Sequence, residues 1–506
     1  MKNEMKQMSL FNDEDDPSKE TFLVECFSAN GLCEDKERKA LEEKYAEKLE
    51  ITDKFNRQSV SYQLSKKDVL HGWLKYKEGF SANLVNILLD EMHAQPNDTV
   101  MDPFMGSGTT ALVCQMRGVN CIGYDIMPIS KISINAKSAV LLYDVEEIEA
   151  LISEIEKIDL PPDYQGETPS ITITKGAYPV FNAKFLHFIS VWINTTSYSD
   201  LTKNLLTLCI INSLERSSYT IKSGQYLGWD CRSPKVVEAN KIRQAAGKKL
   251  LPETIVRECI CNVKDAIIYE LKHVLFDIKT IQNNSNNIDP ANICFVPNSV
   301  LYELPKLKGD WLKGVITSPP YCNRYDYTRT YALELVFLGE DDNSIKEMRQ
   351  QLLSCTVESR SKIDELKHYY QSIGEIERFQ YINKTINENK AFKEIMQALE
   401  TRKKNNDLNN NGVLRMVKGY FTELAFIYAE LYRVCKTGSM VAFVNDNVRY
   451  GGEVIPVDFL SCSFAEQFGF SVKHIYSLKQ QKGNSSQQMA KFGRVPLRKS
   501  ITIWTK

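Results

Sequence analysis

Thr317-Ser318-Pro319-Pro320-Tyr321 is the stretch of this chain whose residue types point most directly to chemistry. It follows the short apolar run Gly314-Val315-Ile316, which predicts a buried strand ending in a rigid loop. Two consecutive prolines fix φ twice and remove two backbone donors, so the loop carbonyls and the Ser318 hydroxyl stay free to accept. A tyrosine follows directly. A small acceptor, a rigid carbonyl and a stacking ring together suit the capture of an extruded base by its exocyclic amine. Taken alone, Pro-Pro-Tyr also fits an ordinary strand-ending turn.

About two hundred residues upstream lies Asp102-Pro103-Phe104-Met105-Gly106-Ser107-Gly108-Thr109-Thr110. It too follows a strand-like run, Thr99-Val100-Met101, and it precedes the helical pattern Ala111 to Met116. Strand, glycine-rich turn and helix form the first unit of a nucleotide-binding α/β sheet. The glycines let backbone approach a ligand, and a helix N-terminus favours a carboxylate or phosphate. No lysine follows Gly108, so this is not a phosphate-cradling loop of the G-x-x-x-x-G-K type. The next strand-like run, Cys121 to Tyr124, ends at Asp125, seventeen positions after Gly108. That spacing suits a carboxylate gripping ribose hydroxyls; a helix cap is the other reading.

These elements need a sheet to hold them, and the composition permits one. The chain has 506 residues, 43% hydrophobic, with a net charge of -1. There is room for a catalytic domain and a second module. Nothing global announces a polyanionic partner, so a nucleic-acid surface must come from local segregation of charge. Thirteen cysteines include no C-x-x-C pair, with Cys259 and Cys261 two apart, and six histidines show no ligand spacing. Reduced thiols are expected, with no disulfide and no metal site. No apolar run reaches membrane-spanning length and the polar N-terminus has no signal-peptide core, which predicts a cytoplasmic protein without a membrane partner.

Together the two motifs resemble the S-adenosylmethionine-dependent amino-methyltransferases of DNA, of the cytosine N4 and adenine N6 type found in restriction-modification systems. Asp102 to Thr110 is similar to their cofactor motif, and Thr317 to Tyr321 to their catalytic motif. Tyr76-Lys77-Glu78-Gly79-Phe80-Ser81, followed by Leu84-Val85, resembles the family segment beneath the cofactor's methionine. Lys436-Thr437-Gly438 leading into Met440-Val441-Ala442-Phe443-Val444 resembles the turn and fifth strand of the fold. Lys482 to Gln488 and Phe492-Gly493-Arg494 resemble segments of the restriction-modification members. The resemblance covers most of Ser61 to Lys506 and implies an α/β fold: a Rossmann-like methyltransferase sheet with largely helical insertions.

It also implies S-adenosyl-L-methionine as cofactor, double-stranded DNA as partner and a separately encoded restriction endonuclease. Cofactor contacts would be Phe80, Ser81, Asp102, Phe104, Gly106, Ser107, Gly108, Thr109, Asp125 and Asn298. Ser107 and Thr109 are alternatively caps of the following helix, and Asn298 stands where the family often has an acid. Catalytic residues would be Ser318, Pro319, Pro320 and Tyr321, with Ser318 and the Pro319 carbonyl accepting the two amine hydrogens and Tyr321 stacking on the base. Serine before Pro-Pro-Tyr is typical of cytosine N4 enzymes and Asp or Asn of adenine N6 enzymes, which favours cytosine. The Pro-Cys dipeptide of carbon-5 cytosine methyltransferases is absent.

The chain divides into a polar extension (1–58), whose first twenty residues are expected to be disordered and whose Leu41, Tyr45 and Leu49 mark an amphipathic surface helix. A cofactor part (59–143), an insertion (144–287), a catalytic part (288–322), a second insertion (323–415) and a C-terminal part (416–506) follow. In this motif order the family's target-recognition region usually lies between the cofactor and catalytic motifs, favouring 144–287. There Gln225, Tyr226, Trp229, Arg232, Lys235, Lys241 and Arg243 combine amide, aromatic and cationic side chains fit for bases and phosphates, or for a solvated basic helix. Arg402, Lys403 and Lys404 read as a solvated helix end, and Arg324, Asp326 and Arg329 as order for the catalytic loop, a phosphate contact or a surface ion pair. An RNA methyltransferase and a non-catalytic DNA-binding protein are the readings from other classes.

Overall fold

The computed structural model describes residues 23–56, 58–65, 68–223, 226–251, 255–284, 291–478, 491–493 and 495–506. The expectations for the first twenty residues, for Gln225, for 482–488 and for Arg494 fall outside these, as does the side chain of Tyr226.

Twelve strands are present among the described residues: β1 (Leu49–Ile51), β2 (Thr99–Asp102), β3 (Asn120–Tyr124), β4 (Thr220–Ser223), β5 (Tyr226–Trp229), β6 (Ile293–Val296), β7 (Leu312–Thr317), β8 (Cys435–Asp446), β9 (Val448–Tyr450), β10 (Glu453–Ile455), β11 (Ser471–Leu478) and β12 (Lys499–Thr505). Eight of them form one sheet in the order β1-β11-β12-β8-β7-β2-β3-β6, while β4-β5 and β9-β10 are separate two-stranded ribbons. From β6 to β8 every pairing is parallel, and β12 runs antiparallel to both its neighbours. This is the Rossmann-like methyltransferase sheet that the motifs implied.

Side chains on β7 and β8 alternate between two apolar layers, as the two-residue repeat of a strand requires. Val315, Val441 and Phe443 pack with the long helix Val413–Val434, whereas Ile316, Ala442 and Val444 pack with the helices Ala82–Glu91 and Thr109–Met116. The turn expected at Lys436-Thr437-Gly438 is an irregularity within β8: register jumps from Leu312↔Cys435 to Gly314↔Met440, and Gly438 takes φ 81°.

Strand order reverses between β2 and β7, since β3 and β6 continue one way and β8 the other. A doubly wound sheet opens a crevice at the carboxyl ends of such strands. Both sequence motifs begin there, at Asp102 and at Thr317.

Helices Val145–Lys157, Val180–Thr195, Asp200–Leu214 and Val263–Asn284 of the first insertion share a core with Tyr327, Tyr331 and Leu333, just beyond the catalytic motif. Near the N-terminus, the stretch with the expected amphipathic helix is α-helical over Lys36–Tyr45, makes a 3-10 turn over Ala46–Lys48 and then enters β1, which pairs with β11 at the sheet edge. Arg38 of that helix is fully buried, bridging Glu394 (2.9 Å) and Glu453 (2.9 Å). Arg402 meets the same Glu453 at 2.8 Å and Asp407 at 3.2 Å, so it is not part of a solvated helix end; only Lys403 and Lys404 are exposed. Sequence spacing cannot reveal this, because the partners come from distant segments. No helix among the described residues is long and apolar enough to cross a membrane.

Candidate active site

β2 delivers Asp102 to the crevice, and β7 delivers Thr317 beside it. The Thr317 hydroxyl donates to Asp102 Oδ1 at 2.6 Å, with both residues buried. One hydrogen bond thus joins two motifs 215 residues apart. Asp102 also accepts from the Phe104 amide at 3.1 Å, and burial pushes its carboxyl up to about 6.

The turn after β2 needs its glycines. Gly106 has φ 52° and Gly108 φ 91°, and a Cβ at Gly106 would stand 3.0 Å from the Tyr76 ring. Gly108 itself is the N-cap of the helix Thr109–Met116, with no side-chain capping bond, so neither Ser107 nor Thr109 is a cap and both line the cleft. From below, Ser133 Oγ (3.1 Å) and the buried Lys137 Nζ (3.3 Å) donate to the Ser107 carbonyl. Desolvation lowers the Lys137 amine to about 7.

Asp125 follows β3 and braces the same turn. Its Oδ2 accepts from the Gly106 amide (2.9 Å) and its Oδ1 from the Met127 amide (2.8 Å), and burial raises it to about 6. The cap of the next helix is Met127, not Asp125.

Asp102, Gly106, Ser107, Thr109 and Asp125, with Phe80, Phe104 and Asn298, line about 760 Å³ of empty space, mouth included, and Gly108 lies behind that lining. Asn298 donates to Glu303 (2.5 Å) and accepts from the Ser299 amide (2.8 Å). Ser81 is absent from the lining: fully buried, it caps the helix Ala82–Glu91 by accepting from the Leu84 amide at 3.3 Å.

Ser318 and Pro320 line the same cleft, while Pro319 and Tyr321 stand just beyond it. Ser318 Oγ donates to the Tyr321 hydroxyl at 3.0 Å. Lys499 Nζ lies 5.1 Å from the Tyr321 ring centroid and donates to the Val60 carbonyl at 3.1 Å. Beyond the loop, Asp326 caps the turn Tyr327–Thr330 and pairs with Arg349 at 3.0 Å, while Arg324, at φ 67°, donates to Asn409 at 2.9 Å. Of the readings for Asp326, ordering the catalytic loop is the one this geometry supports.

Sequence reasoning missed several lining residues. Glu78 stood inside a recognised segment with no role; half-buried at the cleft, it accepts from the Tyr331 hydroxyl at 2.6 Å, and desolvation raises its carboxyl. Tyr76 stacks on Tyr331 with centroids 5.2 Å apart. Leu353 arrives from the second insertion, for which no motif was available.

The basic stretch of the first insertion does not enter the cleft. Its ribbon, β4-β5, abuts Tyr327–Thr330. Trp229 lies under Lys235 Nζ at 4.2 Å, and that ammonium also donates to the carbonyls of Thr172 (3.3 Å) and Ile173 (3.4 Å). Arg232 grips Asp230 with two bonds of 2.9 and 2.7 Å. Lys241 is exposed, 3.8 Å from Glu238, and Arg243 Nε donates to the Lys249 carbonyl at 2.6 Å.

The family model described as DNA methylase, N6_N4_Mtase, matches residues 4–133. The type II methyltransferase M.BsoBI of Geobacillus stearothermophilus is 48% identical over 485 residues, which is 96% of this chain and 95% of that protein. The type II methyltransferases M.AvaI of a Nostoc species and of Anabaena variabilis are each 36% identical over 476 residues, 92% of this chain and 93% of theirs. Similarity of this extent leaves the RNA-directed and non-catalytic readings without support. A chain that shares nearly its whole length with such enzymes, and whose sheet brings both motifs to one crevice, belongs to the N6/N4 DNA amino-methyltransferases of type II restriction-modification systems, which take their methyl group from S-adenosyl-L-methionine.

Proposed function

We propose that this enzyme methylates the N4 amine of a cytosine extruded from a specific duplex site. The observation that carries this reading is Ser318, a neutral hydroxyl at the cleft whose hydrogen is directed to Tyr321. Because that hydrogen is occupied, the Ser318 lone pairs are left to accept from an incoming amine.

The cleft suits the cofactor. Asp125, Asp102 and Glu78 line it with carboxylates, which favour a cationic ligand, and Phe104 and Tyr124 give it apolar walls. Asp125 has lone pairs left for ribose hydroxyls, Asn298 for the adenine edge, and Ser107 and Thr109 have hydroxyls for the methionine carboxylate. Phe80, Gly106 and Gly108 shape the surface beneath. Bound there, S-adenosyl-L-methionine supplies an electrophilic methyl on sulfonium sulfur.

An aryl amine is a poor nucleophile because its lone pair is delocalised into the ring. Ser318 Oγ and the Pro319 carbonyl would accept its two hydrogens, drawing nitrogen toward tetrahedral geometry and stabilising the positive charge that develops on it. Pro320 keeps the loop rigid, and holding amine and methyl in line contributes much of the remaining rate. Tyr321 stacks on the base, a contact worth about 1–3 kcal/mol, against unstacking and unpairing of a few kcal/mol.

Residues 144–287 carry the DNA-recognition surface in this reading. Lys241 and Arg243 are its phosphate contacts, Gln225 and Tyr226 its candidate base contacts, and Trp229, Arg232 and Lys235 build its frame. The enzyme works in the cytoplasm, where its DNA is, and a separate endonuclease of the same specificity is its counterpart. Digestion of DNA methylated with isotopically labelled cofactor, followed by mass spectrometry of nucleosides, should find the label in N4-methylcytosine. Label in N6-methyladenine would refute the base assignment.

A further inference from the structure

The helix Pro234–Ala245 is well formed at both ends and packs against almost nothing. Ser233 caps its start by accepting from the Val236 amide at 3.3 Å, with Pro234 in the first turn. Its end is closed by Gly247 at φ 63°, whose amide bonds the Gln244 carbonyl (3.0 Å), and by the Lys248 amide on the Arg243 carbonyl (2.8 Å). Yet only Val236 of the helix is buried, and none of its residues joins any of the apolar cores. Val237 is 42% and Ile242 62% exposed. The tail returns along one side, with the Leu251 amide on Asn240 Oδ1 (2.8 Å) and Arg243 on the Lys249 carbonyl (2.6 Å). A helix of this length is marginal in water on its own, and no other face of it is packed among the described residues, which leaves the side of Val237, Lys241 and Gln244 for a partner.

Charge identifies the partner. Residues 232–249 hold six cationic side chains (Arg232, Lys235, Lys241, Arg243, Lys248, Lys249) and one acid, Glu238, in a chain whose net charge is -1. Arg232, Lys235 and Arg243 are engaged within the protein, leaving Lys241, Lys248 and Lys249 toward solvent. Val237, Lys241 and Gln244, at successive helical turns, share one exposed side of the helix, and Ile242 points away from it. Twelve residues span about 18 Å, enough to lie along a major groove. The helix starts four residues after β5, whose ribbon abuts Tyr327–Thr330 beside the catalytic loop.

We infer that Pro234–Ala245 is a recognition helix that enters the major groove of the target duplex, with Gln244 and Val237 on base edges and Lys241 and Lys248 on phosphates. This rests on the proposed DNA-recognition role of the first insertion and names the element within it. Gln reads adenine by paired hydrogen bonds and aliphatic groups meet the thymine methyl, whereas lysines on phosphates are indifferent to sequence.

The test is DNA binding and methylation by the full chain on duplexes that each differ from the methylated site by one base pair. Gln244→Ala should cut discrimination at one or two positions about 5- to 150-fold. Val237→Ala should relax preference at a neighbouring position. Lys241→Ala and Lys248→Ala should weaken all duplexes alike and each lower the slope of log affinity against log salt by about 1. Calorimetric cofactor affinity and thermal melting, which read folding, should not move. Unaltered discrimination together with an unaltered salt slope overturns the inference. So does an Ile242→Ala change in sedimenting mass with DNA binding intact, which would mean a second copy covers the helix. N6-methyladenine as product, with these binding effects present, would retire the cytosine assignment and leave the recognition helix standing.

Discussion

Replacing Tyr321 by phenylalanine removes one oxygen and leaves the ring in place. The 3.0 Å bond from Ser318 Oγ ends on that oxygen, so the variant frees the serine rotor while keeping the stacking face and the Lys499 ammonium against it. A neutral hydrogen bond of this kind is worth about 0.5–1.5 kcal/mol, which corresponds to a rate loss of about 2- to 13-fold if the phenol acts only by orienting Ser318. Single-turnover methylation at saturating cofactor and DNA reads that step directly. DNA affinity should hold, because the ring contributes the stacking. The decisive comparison is the Ser318→Ala background, where no hydroxyl remains to orient. There Tyr321→Phe should cost nothing further, even though Ser318→Ala alone slows transfer by more than ten-fold. An equal loss in both backgrounds would refute the orienting role, since the phenol would then act independently of Ser318.

Other consequences are open to measurement. Asp125 ionises near 3.8 when unfolded and about 6 when folded, so its burial costs stability as pH rises across that interval, while a ribose contact needs the ionised form. Cofactor affinity by calorimetry should therefore weaken as pH falls below about 6, and Asp125→Ala should lower it and flatten that dependence. Thr317→Val leaves the Asp102 carboxylate short of its buried partner; about 1–3 kcal/mol of stability should be lost in denaturant unfolding, together with cofactor affinity. Arg402→Ala removes one of the two arginines on the buried Glu453, leaving Arg38 in place, and should destabilise by about 1–3 kcal/mol in the same assay without a selective effect on kcat, because the pair lies outside the cleft.

The sequence by itself determined the local chemistry. Asp102 to Thr110 and Thr317 to Tyr321 could be recognised because each function depends on backbone geometry encoded within a few residues: glycines that admit positive φ and prolines that hold a loop rigid. The Rossmann-like sheet followed too, as what the resemblance carried by those motifs implies. Tertiary structure decided everything that joins distant segments. Ser81 had the right type and place for a cofactor contact, but its hydroxyl closes a helix end. Arg402 looked like solvated charge, but its partner Glu453 is brought to it by the β9-β10 ribbon, and Arg38 arrives from a stretch that reads as a polar extension. The bond from Thr317 to Asp102, and the one orienting Ser318 toward Tyr321, exist because the chain crosses over to set β7 beside β2 and turns tightly after it. A residue's type fixes which bonds it can make; only packing in three dimensions determines which partner is near enough to make them.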